Sequence, residues 1–188
     1  MKEINKIDTE IFIFLNGLHN PFLDVIMFWA SDKLFWVPFY IFLVVIIYRE
    51  YKRRSIYVLI TIALTIFFCD QTASHLFKPL VKRLRPSHEP FLKDIIHLSE
   101  AGPGGMYGFI SSHATNVSGL ATFLFFLLPR KYNTLKIILI FWACIVSYSR
   151  IYNGVHYPLD VICGMLVGLL YGYIFKMLLV EFNFLQSE

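Results

Sequence analysis

Charge is scarce in this chain: only 16% of its 188 residues are Asp, Glu, Lys or Arg, against roughly a quarter in an ordinary soluble domain. Apolar residues make up 57%, aromatic residues 18%, and the mean hydropathy is +0.60. A soluble domain of this size cannot bury that much apolar surface. The chain therefore reads as an all-α integral membrane protein, residues 1–188 forming one membrane-embedded domain. Cysteine is also sparse. Cys69, Cys144 and Cys163 lie inside apolar runs at no metal-ligand spacing, which argues against a disulfide framework or a zinc site and leaves them as buried small apolar residues. The net charge of +4 is modest, and the basic residues fall in short clusters beside apolar runs. No continuous basic face results, so nucleic acid is not an expected partner. Met1 to Glu10 carries no cleavable signal pattern, and the first spans would serve as the targeting signal.

What remains is a succession of apolar runs with polar clusters between them. Ile11 to Ala30 is interrupted by Asn16, Gly17, His19, Asn20, Pro21 and Asp24. It reads as an N-terminal amphipathic segment, two short helices broken at Asn20-Pro21 that lie in the interface or re-enter. Leu34 to Tyr48 is a spanning run with Trp36 and Tyr40 placed for a headgroup belt. Arg49, Lys52, Arg53 and Arg54 follow it, and the positive-inside rule puts them in the cytoplasm. Ser55 to Phe77 spans back and ends in a polar stripe of Asp70, Ser74 and Lys78, every fourth residue. Asp70 reads equally well as a helix-packing hydrogen-bond partner and stays outside the candidate site.

Lys78 to Tyr107 is the longest non-spanning segment. It holds Lys78, Lys82, Arg83 and Arg85, a weakly amphipathic piece from Phe91 to Leu98, and Gly102-Pro103-Gly104-Gly105. On the orientation above it lies on the outer face, where basic residues need an anionic partner to account for them. Gly108 to Leu128 spans, Pro129-Arg130-Lys131 ends it on the cytoplasmic side, and Thr134 to Ser149 returns outward. Tyr157 to Val180 crosses again with Gly164, Gly168 and Gly172 every fourth residue, a stripe for close helix packing. The expected architecture is a bundle of about five to six transmembrane helices. Three polar clusters then meet on one outer face.

The last of these is Ser149-Arg150-Ile151-Tyr152-Asn153-Gly154-Val155-His156-Tyr157-Pro158-Leu159-Asp160. Asn153-Gly154 marks a turn, and Pro158 suits a first helical turn. His156 and Asp160 are four apart and would share a helical face. Taken alone, the stretch reads as a solvated polar loop or as a phosphate site with a histidine nucleophile. The other clusters favour the second reading. Lys78, Arg85 and Arg150 supply cations for phosphoryl oxygens. Ser111 and Ser112 begin a helix whose amides face an anion. His156, oriented by Asp160, can attack phosphorus, and His113 can protonate the leaving oxygen. No carboxylate cluster suited to magnesium lies near them, so a metal-independent, cofactor-free route is expected.

These residues resemble the type 2 phosphatidic acid phosphatase superfamily of membrane lipid phosphatases. Its first motif, Lys, six residues, Arg-Pro, matches Lys78 to Arg85-Pro86. Its second, Pro-Ser-Gly-His, corresponds to Ile110-Ser111-Ser112-His113, with isoleucine for proline and serine for glycine. Its third matches Ser149-Arg150, His156 and Asp160 in full. The motif-bearing part runs over about residues 70–180, roughly the last 110 residues of a helical bundle; Ile11 to Tyr51 carries no motif. The resemblance implies a six-helix-type bundle and hydrolysis of a lipid phosphomonoester or pyrophosphate through a phosphohistidine. His156 would be the nucleophile, Asp160 its orienter and His113 the acid, with Lys78, Arg85, Ser111 and Arg150 on the phosphate. The small bacterial members put undecaprenyl pyrophosphate first among expected substrates. Lipid A phosphate follows closely, then phosphatidylglycerol phosphate and phosphatidate. The expected location is the cytoplasmic (inner) membrane with the site facing the periplasm or cell exterior. A phosphotransferase using the same intermediate, and a non-catalytic anion carrier or scaffold, stay open on these residues. The water-soluble vanadium-dependent haloperoxidases share the site type, but this hydropathy argues against them. His19, His75, His88 and His97 match no motif and read as packing, interface or loop residues.

Overall fold

The computed structural model describes residues 2–182, and among them every extended regular element is a helix. α1 (Lys2–Asn16) and α2 (Pro21–Ser31) form the expected broken pair, bent by 116°. The break follows from its residues. Asn20 caps α2 by accepting from the Leu23 amide at 2.9 Å, and Pro21 occupies the first turn, where its missing N–H costs nothing. α1 starts earlier than the sequence suggested, drawing the polar N-terminus into the helix because Asp8 on it finds a buried partner (below).

α3 (Val37–Tyr51) ends at Lys52, whose positive φ of 51° turns the chain into α4 (Ser55–Gln71). A π-helical turn over Thr72–Phe77 continues α4 into the short α5 (Lys78–Val81). Val37–Val81 is thus one helical run of 45 residues broken at Lys52, and it contains both spans expected there. Tyr40 and Leu43 of α3 line the same cavity as Ile62 and Ile66 of α4, so the two fold back on each other. α6 (Ser112–Leu127), α7 (Asn133–Tyr152) and α8 (Pro158–Glu181) complete the bundle. By length and hydropathy, three helical runs among the described residues are long and apolar enough to cross a membrane: Val37–Val81, Arg130–Tyr152 and Pro158–Glu181. The bent α1–α2 pair makes four if it counts as one span. α6 is shorter, at 16 residues.

α6 is the centre of the molecule, packed against α4, α7 and α8. Its α8 face is closed by the glycine stripe: Gly164, Gly168 and Gly172 lie against the backbone of Ser111, Thr115 and Gly119. Without side chains there, the two helices approach to backbone contact. The apolar core joins α3, α4, α6 and α7 through Leu43, Val58, Phe123, Leu124, Leu139 and Trp142. Outward, Ile41, Ile60, Phe67, Phe141 and Leu166 are exposed, an apolar girdle that suits hydrocarbon and not water. Cys144 also faces outward, and of the three cysteines Cys69 alone is fully buried. Trp36 and Tyr40 are not a headgroup belt. They turn inward onto Trp142, and the Trp36 indole N–H donates to Ala30 O at 2.9 Å.

Both basic clusters gather at one end. Lys131 Nζ pairs with Glu50 Oε2 at 2.5 Å, and the Tyr51 hydroxyl donates to Leu127 O at 2.8 Å. The α3–α4 and α6–α7 turns therefore share an end, opposite to the motif residues. At the motif end, the loop from Lys82 to Ser111 is pinned where it leaves and returns. Leu84 and Tyr107 form an antiparallel bridge, and the Gly108 amide donates to Arg83 O at 2.9 Å. The expected amphipathic piece at Phe91–Leu98 is a short 3-10 turn, Pro90–Leu92, with Leu92 buried and Phe91 and Ile95 exposed.

Candidate active site

The α7–α8 connection holds a cluster of fully buried polar groups. Arg150 lies in the last turn of α7, and its carbonyl accepts from the amides of Val155 and His156, both at 3.2 Å. Asn153-Gly154 makes the turn, with Gly154 at φ +76°. His156 follows in the loop, 1% exposed, and α8 begins two residues later at Pro158. His156 and Asp160 therefore do not share a helical face, as their spacing suggested. Pro158 moves the helix start past the histidine, and Asp160 becomes the third residue of α8. From there its Oδ2 accepts from the Tyr157 amide at 3.0 Å, the back-bond of a capping box. The same oxygen lies 3.4 Å from His156 Nδ1, which makes no closer hydrogen bond. A capping carboxylate is thus placed beside the ring nitrogen, leaving Nε2 on the opposite edge.

Asp160 has a second partner that motif reading passed over. Its Oδ1 accepts from Arg83 Nη1 at 2.9 Å, while Arg83 Nη2 donates to Asp8 Oδ2 at 2.5 Å. Asp8 is 3% exposed, and its Oδ1 accepts from the Leu159 amide at 2.9 Å. The Arg83 guanidinium stacks on Tyr157, 4.0 Å from the ring centre. A carboxylate from α1 and an arginine from the loop thus hold the start of α8 and the carboxylate facing His156. The sequence signal was slight: a single Asp on a polar N-terminal stretch. α1 and α2 clamp the same loop elsewhere. Asn16 Nδ2 donates to Tyr152 O at 2.8 Å, the Tyr152 hydroxyl donates to Asp24 Oδ1 at 2.7 Å, and Asn153 Nδ2 donates to Met27 O at 3.1 Å. His97 stacks on His19 and pairs with Asp24 at 2.8 Å, a packing role as read from sequence.

Gly108 is the point around which the site closes. A Cβ there would sit 2.9 Å from Asp160 Oδ2, 3.2 Å from Arg85 Cγ and 3.5 Å from His156 Nδ1. Only a glycine lets the loop pass this close. Arg85 is buried, with its Nε donating to Tyr107 O at 3.2 Å. Arg150 is also buried, and its Nε has no hydrogen-bond partner. Lys78 Nζ donates to Ser112 Oγ at 2.7 Å, and Ser74 Oγ meets the same hydroxyl at 3.0 Å. The serine that replaces glycine in the second motif thus holds the lysine of the first. Ser111 caps α6 through its side chain to the Ala114 amide at 3.5 Å, and its own amide donates to Asp160 O at 2.9 Å. Ile110, the other departure from the motif, is fully buried.

The predicted residues therefore come together. Burial, then the charges of Arg85, Arg150 and Lys78, push His156 well below its usual pKa. It is neutral, with an unprotonated nitrogen available. Burial likewise lowers Arg85. His113 lies within the field of Arg150, Lys33 and Arg85. Cations outnumber the carboxylates Asp160 and Asp70 around an uncharged imidazole, a charge balance that favours an anion.

A buried histidine–carboxylate pair among cations, at one end of an apolar helical bundle, has the charge and donors suited to a phosphoryl group. Comparison with known proteins narrows this. The model of the PAP2 superfamily matches residues 54–183. The chain is 38% identical over 174 residues to a lipid A 4'-phosphatase of Bacteroides thetaiotaomicron, covering 92% of this chain and 76% of that one. It is 30% identical over 164 residues to an undecaprenyl-diphosphatase of Sulfolobus acidocaldarius, covering 86% and 73%. The crystal structure of Aquifex aeolicus LpxE superposes with a TM-score of 0.67 at 26% identity, covering 90% of this chain and 94% of that one. The chain belongs to the PAP2 superfamily, and it is a multi-pass membrane lipid phosphatase.

Proposed function

We propose that this phosphatase removes a phosphate monoester from lipid A, or from a glycolipid of that kind, through a phosphohistidine on His156. The observation that carries the mechanism is the convergence of His156 and Asp160 with Lys78, Arg85 and Arg150 around Gly108. The choice of lipid rests on the lipid A 4'-phosphatase likeness, which at 38% identity exceeds the 30% of the undecaprenyl-diphosphatase. Undecaprenyl pyrophosphate, first on the motifs alone, becomes the second choice.

The reaction runs in two halves. The phosphoryl group binds with its oxygens on Lys78, Arg85 and Arg150, the first hydrogen bond to Arg150 Nε being supplied by the substrate. The amides at the start of α6, next to Ser111 and Ser112, add the positive end of a helix dipole. Nε2 of His156 attacks phosphorus, and the P–O bond to the lipid breaks. His113, charged once the anionic phosphate is bound beside it, gives its proton to the departing lipid oxygen, which leaves as a hydroxyl while His113 becomes neutral. Asp160 stabilises the charge that appears on the imidazole. In the second half His113 takes a proton from water, the water oxygen attacks phosphorus, the P–N bond breaks, and inorganic phosphate leaves. No step needs a metal.

With the basic turns at Arg49–Arg54 and Arg130–Lys136 in the cytoplasm, this site opens at the outer face of the inner membrane. The test is phosphate release by purified protein in detergent with a chelator present, across lipid A, polyprenyl pyrophosphate, phosphatidylglycerol phosphate and phosphatidate. Wild type releases phosphate, lipid A fastest. His156→Ala loses about 10⁴-fold or more of that rate, as nucleophile removal does elsewhere. Full activity of His156→Ala, or activity abolished by the chelator, contradicts the reading.

A further inference from the structure

A cavity of about 390 Å³ opens beside the site and runs into the bundle between α3, α4, α6 and α7. Its depth is apolar, lined by Leu43, Ile62, Leu124 and Trp142 among others. Its outer end carries Lys33, His113 and Asn116. His113 is the proposed acid, and the charge of Lys33 reaches both His113 and Lys78. His113 is thus common to the cavity wall and the proposed phosphate site, so the cavity lies beside the chain of a lipid whose phosphate is at His156.

Asn116 is the unexplained residue. It sits one turn after His113 on α6 and lines the cavity, yet its carboxamide makes no hydrogen bond in the structure and its Oδ1 is shielded from solvent. A carboxamide in an apolar wall without a partner costs stability. The chemistry that satisfies Oδ1 is a hydrogen-bond donor at the head of a chain. An amide linkage supplies it, its N–H donating to Oδ1. A polyprenyl or alkyl-ether chain offers no such group.

We infer that this cavity receives a hydrocarbon chain of the substrate and that Asn116 selects chains joined through an amide linkage. Resting on the lipid phosphatase reading above, this assigns specificity to a residue outside all three motifs. Asn116 is a specificity-determining residue, not a catalytic one, because it meets the chain and not the phosphorus.

The experiment uses two synthetic sugar phosphates with identical chains, one attached through an amide and one through an ether at the same atom. Wild type is expected to favour the amide lipid about tenfold in kcat/KM, mostly through KM, which corresponds to about 1.4 kcal/mol. In Asn116→Leu the ratio falls to near one, and Asn116→Gln restores part of it. Poor folding of a variant lowers both rates together and leaves the ratio intact, so the ratio is the readout. A wild type without preference, or Asn116→Leu with the full preference, overturns the inference while leaving the phosphatase reading in place. If neither lipid releases phosphate, that reading fails by itself, and binding decides the inference. Trp36 and Trp142 line the cavity, whereas Trp29 is exposed. In Trp29→Phe protein, chain-brominated amide phosphate then quenches fluorescence saturably and at lower concentration than its ether counterpart. Equal quenching by both overturns the inference.

Discussion

The two sides of α6 are built in opposite ways. Toward α8 the glycine stripe brings backbone against backbone, with no room even for a Cβ. Toward α3 and α4 the same helix faces an open cavity with His113, Asn116, Val117, Leu120 and Leu124 on its wall. The closed side fixes the histidine–carboxylate pair: the amide of Ser111, the cap of α6, donates to Asp160 O on α8, and Asp160 faces His156. The open side leads from the bundle's apolar interior to His113. A phosphatase for lipids needs both, because the reacting atoms demand fixed geometry while the substrate brings a long, variable hydrocarbon part. One helix separates the two demands by using small residues on one face and leaving the other unfilled.

Breaking the closed side gives the larger effects. Asp8→Ala leaves Arg83 without one of its two carboxylates and the Leu159 amide without its acceptor. Breaking a buried pair of this kind costs about 3–5 kcal/mol. Denaturation in detergent is expected to show that loss, and kcat to fall with it, because Arg83 no longer fixes Asp160. A variant of wild-type stability would show that α1 does not brace the site.

Gly168→Leu comes next. A side chain there meets Gly119 N and Ser118 Cβ, each at 2.9 Å already from Cβ. Overpacking of this order costs about 1–3 kcal/mol, so Tm is expected to drop and kcat to follow as α8 moves off α6. An unchanged Tm would mean that the glycine contact is not the closed seam described. The open side is tested by the amide-to-ether ratio of Asn116→Leu.

The smallest effect is expected where the two sides meet. His156 is neutral because burial first, and the arginines and lysine next, disfavour its charged form. Its folded pKa lies below the ordinary value near 6.5, so the acid limb of kcat/KM falls below that pH. Removing a cation favours protonation, so Arg85→Gln is expected to move the acid limb upward, by less than about one pH unit since burial dominates. The same shift makes stability fall as pH drops below about 6.5, where the unfolded chain takes up a proton that the folded one refuses. An acid limb that moves down in Arg85→Gln would contradict this electrostatic picture.

Much of this was legible in the sequence because it is encoded at short range. The break at Asn20-Pro21, the Pro158 helix start, the Ser111 cap and the glycine stripe each follow from a few adjacent residues. The three motifs placed Lys78, Arg85, Ser111, Ser112, His113, Arg150, His156 and Asp160, and the fold gathers them at one end. The misreadings have a common origin in contacts set by the tertiary fold. Asp8 and Arg83 are 75 residues apart, and nothing local to either announces the pair. Trp36 and Tyr40 sit where belt residues would, but turn inward because Trp142 offers them a face. His156 and Asp160 have helical spacing without sharing a helix, because Pro158 sets the boundary between them. The cavity was invisible for the same reason: it is a space between four helices, and no run of sequence describes a space.

The most direct measurement is to quench the reaction of radiolabelled lipid phosphate with alkali and locate the label on the protein. The account predicts an acid-labile, alkali-stable phosphoryl group on His156, formed in the wild type and absent in His156→Ala. Label on another residue, or phosphate release at full rate with no labelled protein at any time, would contradict it.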